Sequence, residues 1–296
     1  MRRYTVIQVD TFITRPLRGN PCAVCPDARG LTDADMQAIA REMNLSETAF
    51  VLPSDKADFR FRYFTPATEI PLAGHPTIST AHVLVEEGSI PLKDGKATFT
   101  IELNVGVLPV EVVGHEGNVT RAVMTQKKPE FGRTFEHGEV ASVFGLAVTD
   151  LDMRYPPQVV STGTPQLIVL VKSLDVLKRI QADFYALQEF SEHGGFFSAH
   201  VFCLGGFSPN ADTHARHYAP EAGIAEDPFT GSASGGMGAY LVHHGIVSKP
   251  RLHIEQGHLC GRPGEGDVEV IGPPYDIQTV KVGGPAITVM RGELLL

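Results

Sequence analysis

A carboxyl group set among apolar side chains can hold and release a proton near neutral pH, because burial disfavours its charged form. Glu47 stands in such a setting, between Leu45 and the run Ala49-Phe50-Val51-Leu52. A surface glutamate at the start of a strand is the plain alternative. His75 follows Gly74 and precedes Pro76-Thr77, at what reads as the first turn of a helix. There it can serve as a second acid–base group, hydrogen-bond a substrate, or simply cap and pack, and the nearby helix N–H groups disfavour its charged form. Asp227 precedes Pro228 and a second glycine-opened helix start, Gly231-Ser232. It can orient a substrate amine or a partner histidine, or be an ordinary turn aspartate. The Ser232 hydroxyl can cap its helix, touch a substrate, or do both.

Other chemistries fit less well. The chain has twelve histidines, but no His-Glu-x-x-His pattern. His214 and His217 sit three apart on a strand-like segment, where they face opposite ways, and His243-His244 closes a helix. No metal site is expected. Gly231-Ser232-Ala233-Ser234-Gly235 carries serines at its second and fourth positions, whereas a nucleophile elbow needs the third. The same stretch lacks the lysine of a P-loop and the spacing of a dinucleotide fingerprint. Cys22-x-x-Cys25 lies in a strand-like segment rather than at a helix start, and Cys203 and Cys260 form no second pair. Four buried thiols are expected rather than redox or zinc chemistry.

The elements that must position these residues can be read from periodicity. Strands are predicted over 4–12, 21–25, 47–52 and 58–64, and a helix from Leu31 to Met43. That helix carries capping-box spacing at Thr32 and Asp35 and apolar residues Met36, Ile39, Ala40 and Met43 on one face. A second helix should begin near Pro76 and stop at Gly88. Alternation over Ala97 to Leu103 predicts a half-buried strand, and β character continues over 107–113 and 119–124. The texture changes near residue 125, with a short helix near Glu139–Phe144. Strands at 158–161, 166–171, 199–204 and 214–218 follow, with a helix over 174–189 and another from about Ser232 to His244. The remainder is β-rich.

The two halves echo each other. Arg62-Tyr63-Phe64-Thr65-Pro66 leads to Gly74-His75-Pro76-Thr77, and Arg216-His217-Tyr218-Ala219-Pro220 leads to Gly231-Ser232-Ala233-Ser234. The Arg-to-Gly offset is 12 (74 − 62) in one and 15 (231 − 216) in the other. Gly19-Asn20-Pro21 has a weaker counterpart in Gly163-Thr164-Pro165. This is the signature of a duplicated unit in which a strand ends, a loop turns and a helix starts on glycine. The first N–H groups of such helices suit an anion, and two facing starts would hold an acid between the halves. Gly235, Gly236 and Gly238 in the second helix each cost up to about 1 kcal/mol relative to Ala, which predicts close packing against a curved sheet.

Bulk properties bound the rest. The chain has 296 residues, 43% apolar and 20% charged, with 30 Gly, 21 Pro and a net charge of −9. That length suits two domains, and the glycine and proline content suits an α+β fold with many turns. No run of basic residues exceeds two, so neither nucleic acid nor an anionic membrane is an expected partner. No apolar run approaches the roughly 18 residues of a membrane span. No address signal stands out, and a cytoplasmic location is expected.

The motifs, taken in order, resemble the phenazine-biosynthesis PhzF-like family, a branch of the diaminopimelate-epimerase-like fold. Val9-Asp10-Thr11-Phe12 with Gly19-Asn20-Pro21 is similar to the family's opening, and Asn44 to Phe50 to its catalytic glutamate segment. Arg62 to Pro66, Glu69 and Gly74 to Thr77 resemble its first helix start, and Asp227 to Ala233 its second. The resemblance implies two similar β-barrel-like halves, each wrapped around a central helix. The first would span 1–125, completed by 279–296, and the second 126–278. It implies a homodimer with no cofactor. It also implies Glu47, His75, Asp227 and Ser232 as catalytic residues, with Gly74, Thr77, Gly231 and Asn20 as substrate contacts. The amino-acid epimerases of this fold use a cysteine at each helix start, where this chain has His75 and Ser232. Two-thiol racemisation is therefore not expected. The leading expectation is an isomerase moving a proton on a small carboxylic acid, as dihydro-hydroxyanthranilate isomerases do. An epimerase and a non-catalytic acid-binding protein on the same scaffold are the alternatives.

Overall fold

The computed structural model describes residues 2–115 and 118–296, and the chain divides into two compact units, 1–125 with 283–296 and 126–282. The first unit opens with β1 (Arg3–Thr11), β2 (Asn20–Cys25), α1 (Asp33–Met43), β3 (Glu47–Leu52), β4 (Phe59–Phe64) and β5 (Glu69–Ile70). It continues with α2 (Gly74–Glu86), β6 (Lys96–Leu103), β7 (Gly106–His115) and β8 (Asn118–Gln126). The second holds β9 (Glu130–Thr134), α3 (His137–Val143), β10 (Gln158–Ser161), β11 (Pro165–Leu170), α4 (Leu174–Arg179) and α5 (Phe184–Gly194). Then come β12 (Ser198–Leu204), β13 (Thr213–Ala219), β14 (Ile224–Asp227), α6 (Gly231–His243), β15 (Arg251–Gln256), β16 (Gly264–Ile271) and β17 (Thr279–Gly284). The last strand, β18 (Ala286–Leu295), returns to pair antiparallel with β1. The architecture is α+β and dominated by strands. No helix among the described residues is long and apolar enough to cross a membrane.

The repeat read in the motifs is a repeat of strand pairing. In the first unit β1–β2 is antiparallel, β2–β3 parallel, β3–β4 and β4–β5 antiparallel, β4–β6 parallel and β6–β7 antiparallel. In the second, β10–β11, β11–β12, β12–β13, β13–β14, β13–β15 and β15–β16 run through the same series. The repeated arginine explains its own recurrence. Arg62 donates two bonds to Glu69 at 2.8 and 2.6 Å, and Arg216 donates two to Glu226 at 2.9 and 2.7 Å. Each guanidinium also lies over the aromatic ring two residues on, Phe64 or Tyr218. A planar fork matched to a carboxylate is a strong, directional tie, and here it folds a two-to-four-residue strand back onto its neighbour. The Arg-to-Glu spacing is 7 in one unit and 10 in the other, so the three extra residues fall in the short 3-10 turn Pro220–Ala222.

Each unit wraps its sheet around one helix of thirteen residues. From Gly74 to Val85 every residue of α2 is buried, which requires small or apolar side chains all round. Two of its three hydroxyls turn inward onto its own backbone: Thr77 Oγ1 donates to Ala73 O and Thr80 Oγ1 to Pro76 O, both at 2.7 Å. In α6 a Cβ at Gly235 would stand 2.0 Å from Gln126 Oε1, and one at Gly238 2.5 Å from Val268 Cγ1. Close packing therefore accounts for two of the three glycines. Gly236 has ordinary room, with its nearest neighbour at 3.7 Å, and nothing in the structure explains it.

The predicted helix over 174–189 is two helices. The backbone leaves α4 at Ile180, and α5 restarts from Asp183, whose carboxylate accepts from the N–H groups of Tyr185 and Ala186. Apolar periodicity runs through both, and the aspartate cap decides the break. The helix α1 carries the capping box its sequence predicts, Thr32 and Asp35 each accepting the other's N–H. Thr32→Ala should cost about 1 kcal/mol, read as a lower denaturant midpoint at unchanged m-value. An unchanged midpoint would mean that Met36, Ile39 and Ala40 hold the helix unaided.

Candidate active site

In the first unit three segments distant in sequence meet at the start of α2. Glu47 opens β3, directly beside Cys22 of the parallel strand β2. His75, the second residue of α2, places Nε2 3.1 Å from Glu47 Oε2. Its other nitrogen, Nδ1, lies 3.1 Å from Asn20 Nδ2. The Glu47 and His75 side chains are 12% and 4% exposed, so the carboxyl keeps a small opening while the imidazole behind it is enclosed. Burial pushes the imidazole far down, to about 3, while the carbonyl of Pro21 pulls weakly the other way. At neutral pH the ring is uncharged, so its approach to Glu47 is not an ion pair, and the two atoms lie close without hydrogen-bond alignment.

The backbone in front of Asn20 sets this geometry. Gly19 has φ +55°, and a Cβ there would sit 2.0 Å from Thr11 O, so the turn into β2 admits only glycine. Thr11 Oγ1 donates to Asn20 O at 3.0 Å. Asn20 is fully buried, with its amide directed at His75. Thr77 is fully buried too, its hydroxyl bonded to Ala73 O and to the Tyr63 hydroxyl, both at 2.7 Å. Neither helix start is capped by a side chain. The preceding residue is Ala73 in α2 and Thr230 in α6, with no side-chain cap bond at either. That corrects capping as a role for His75 and for Ser232. Their polar atoms turn sideways, to Asn20 and Glu47 in one case and to a glutamine in the other.

In the second unit Asp227, Gly231 and Ser232 are held by three buried glutamines. Gln256 Nε2 donates to Asp227 O at 2.7 Å, and its Oε1 accepts from Thr230 N at 3.1 Å. Gln126 Nε2 donates to Gly231 O at 3.0 Å, and Gln166 Nε2 to Ser232 Oγ at 3.1 Å. The Thr230 hydroxyl makes a short bond to Asp227 Oδ2. The glutamines are 1–3% exposed. A neutral amide supplies a donor and an acceptor at one buried point without the cost of burying a charge. Sequence reasoning missed all three, since isolated glutamines carry no spacing pattern. One signal was available: Gln166 follows directly on Gly163-Thr164-Pro165, the counterpart of Gly19-Asn20-Pro21.

The carboxylate itself is not duplicated. Cys22 pairs in register with Glu47, and the equivalent pair in the second unit is Gln166 with Ser198. The strand position that carries Glu47 in one unit carries a buried serine in the other. The four cysteines are free thiols. Cys22 contacts Ser79 from the face of β2 opposite Cys25, which packs in the cluster around α1. Burial first, and the Glu47 charge second, push the Cys22 thiol well above its ordinary range, so it is no nucleophile at neutral pH.

Buried neutral histidines also define a pH response. Besides His75, burial lowers His217 to about 3 and His214 to about 4, and holds His200 well below its ordinary 6.5. His200 and His217 are opposite one another on β12 and β13, with their Nδ1 atoms 3.2 Å apart. A folded-state value below the unfolded one means that the unfolded chain takes up more protons in between. Stability should be full above pH 6.5 and fall as the pH drops from there toward the folded-state values of about 4 and 3, by at most about 1.4 kcal/mol per pH unit for each such histidine. Urea midpoints at pH 8, 6 and 5 check this, and a flat profile would contradict neutral burial.

Residues 9–292 match the model of the phenazine biosynthesis-like protein family, PhzC-PhzF. An uncharacterized isomerase of Clostridium acetobutylicum is 35% identical, covering 100% of this chain and 99% of its own. The trans-2,3-dihydro-3-hydroxyanthranilate isomerase of Pseudomonas fluorescens is 33% identical, with both chains fully covered. A PhzF-family crystal structure from Bacillus anthracis superposes with a TM-score of 0.88 at 36% identity over 100% of both chains. A hydroxyproline epimerase from Agrobacterium vitis shares the fold alone, with a TM-score of 0.69 at 10% identity over 99% of this chain and 91% of that one.

Proposed function

From the premise that this chain belongs to the phenazine biosynthesis-like (PhzC-PhzF) family, we propose that it is an isomerase that moves a proton between carbons of a small carboxylic acid, with Glu47 as the carrier. Relatives at this level of identity are named isomerases. The observation that carries the reading is the contact of Glu47 Oε2 with His75 Nε2 at 3.1 Å at the start of α2.

The chemistry needs a group that takes a proton from carbon and returns it to another carbon of the same molecule. A carboxylate with a small opening to solvent suits both steps: it is accessible to a ligand, and little water competes for the proton it carries. The neutral imidazole 3.1 Å away covers one side of the carboxyl without adding a fixed positive charge, which would lock the proton off. The uncapped N–H groups at the start of α2 favour an anion nearby, which points to an acid as substrate. Asp227 and Ser232, held rigid by their glutamines, are proposed as further substrate-contacting groups. The asymmetry between the units supports a single proton-carrying carboxylate rather than a matched pair of bases.

The test is hydrogen exchange in D₂O with a panel of cyclic unsaturated acids and amino acids. A shifted double bond with deuterium at the new carbon is the expected result. Exchange with inversion at a single centre would replace isomerisation by epimerisation. If no acid in the panel exchanges any hydrogen while several bind, the non-catalytic reading takes its place.

A further inference from the structure

We propose that Gln166 and Ser198 form, directly behind Ser232, an uncharged subsite that receives a hydroxyl group of the substrate. The inference rests on the reading of Ser232 as a substrate-contacting group and adds which residues meet the ligand there and what chemical group they select.

Polar atoms that the fold buries but does not pair carry the inference. Gln166 and Ser198 are neighbours in register on the parallel strands β11 and β12, so their side chains leave the sheet on the same face. That face is turned to α6, because Gln166 Nε2 donates to Ser232 Oγ at 3.1 Å. Gln166 is 2% exposed and Ser198 1%, yet Gln166 Oε1 and Ser198 Oγ have no hydrogen-bond partner among the described residues. On the same strand face as Ser198, two positions along, His200 leaves Nε2 without a partner as well, while its Nδ1 meets that of His217. A desolvated polar atom left unpaired costs free energy. Such atoms on adjoining positions call for a partner from outside the chain.

The duplication gives the position a meaning. Gln166 and Ser198 are the strand pair equivalent to Cys22 and Glu47. They stand beside the start of α6 where the first unit places its carboxyl beside the start of α2. The way in is at Ser232, whose side chain is half-buried while the rest of the helix behind it, from Ala233 to Tyr240, is buried.

Matching donors to acceptors identifies the group. Ser232 Oγ accepts from the Gln166 amide, so its own hydrogen is directed elsewhere, and no acceptor among the described residues takes it. Gln166 Oε1, on the same carboxamide, can only accept. The ligand must therefore accept from one and donate to the other, and a hydroxyl does both. A second carboxylate has no hydrogen for Gln166 Oε1, and an ammonium has no lone pair for Ser232. Gln166, Ser198 and Ser232 are neutral, and burial keeps His200 uncharged, so these groups offer no counter-charge to an ion. The Ser198 hydroxyl can turn to donate or to accept, and completes the contact from the neighbouring strand.

The test compares ring acids that differ in one substituent: benzoate, meta- and para-hydroxybenzoate, meta-(aminomethyl)benzoate and isophthalate, each titrated into the full-length protein by calorimetry. One of the hydroxybenzoates should bind at least about 10-fold more tightly than benzoate, as a well-matched buried hydrogen-bonding group allows. The ammonium and the second carboxylate should gain nothing over benzoate. In Gln166→Met the hydroxyl preference should vanish while benzoate affinity stays within a few fold. A crystal structure of the complex should place the hydroxyl between Ser232 and Gln166. An ordered water at that point with the ligand hydroxyl elsewhere would overturn the proposal, as would equal affinities or no binding of either hydroxybenzoate. Ser198→Ala gives a readout without ligand. Removing an unpaired buried hydroxyl should leave the urea midpoint unchanged or raise it, whereas a lower midpoint would show a structural bond and overturn the assignment of Ser198. Should Gln166→Met fail to fold, the wild-type affinities and the complex decide. Tight, Gln166-dependent binding of a hydroxy acid with no hydrogen exchange in D₂O would end the isomerase reading and leave the subsite standing.

Discussion

Glu47→Gln is expected to remove turnover and leave the folded protein in place. The two side chains have nearly the same shape, so the Cys22 pairing and the entry of β3 into its sheet survive. The amide cannot accept a proton from carbon and return it, and positioned acid–base groups contribute about 10²–10⁴-fold to rate. The loss should fall on kcat. KM should change little where it reports binding, because the amide has nearly the size and polarity of the carboxyl it replaces. Deuterium uptake from D₂O should vanish with turnover. Glu47→Asp is the informative companion. It keeps the carboxyl but withdraws it by one methylene, and a displacement near 1 Å can cost about 10²-fold. Wild-type exchange in Glu47→Gln would move the proton-carrying role to His75 or Asp227 and end the single-carboxylate reading.

Gly19→Ala is expected to be among the most damaging single-methyl changes in the first unit. Its Cβ would stand 2.0 Å from Thr11 O and 2.4 Å from Ile13 Cγ2. The first of these is backbone within a paired strand and cannot swing aside. The backbone at φ +55° adds strain of its own for a residue with a side chain. Overpacking typically costs about 1–3 kcal/mol, so the total should be on the order of 3 kcal/mol, read as a large drop in denaturant midpoint. The change also moves the next residue, Asn20, away from His75, so kcat should fall even in the fraction that stays folded. Gly88→Ala is the control: its φ of +74° carries the same kind of backbone penalty, but nothing lies within 4 Å of the added methyl. Equal losses in the two variants would show that conformational strain, not contact with Thr11, dominates.

Much of the fold was legible because its signals are local. Thr32 and Asp35 announce their helix through a cap three residues long, and the structure has that cap. The thirteen-residue helices start on the glycines that the repeat marked. The recurring Arg-x-aromatic was visible as a pattern, but its reason was not. That reason is a bidentate bond to a glutamate whose spacing differs by three residues between the copies. The 174–189 segment misled because apolar periodicity runs on through a break that only the Asp183 cap enforces.

The candidate site divides in the same way. Glu47, His75, Asp227 and Ser232 could be singled out by residue type, by neighbours and by resemblance. What each touches could not. Asn20 and His75 are 55 positions apart, and Gln126 and Gly231 are 105 apart. The first pair meets because parallel strand pairing brings the starts of β2 and β3 side by side, with α2 enclosed against them, and the second because the end of β8 reaches the start of α6. The sequence by itself determined the elements, the duplication and the chemical types of the acid–base residues, since short-range sterics and hydrophobic periodicity suffice for those. Only the tertiary structure decided that Asn20 belongs to His75, that three glutamines hold the second helix start, and that the carboxylate is present once. The physical reason is that a buried polar group is satisfied by whichever partner the closed sheet delivers, and such a partner leaves no periodic trace in the chain.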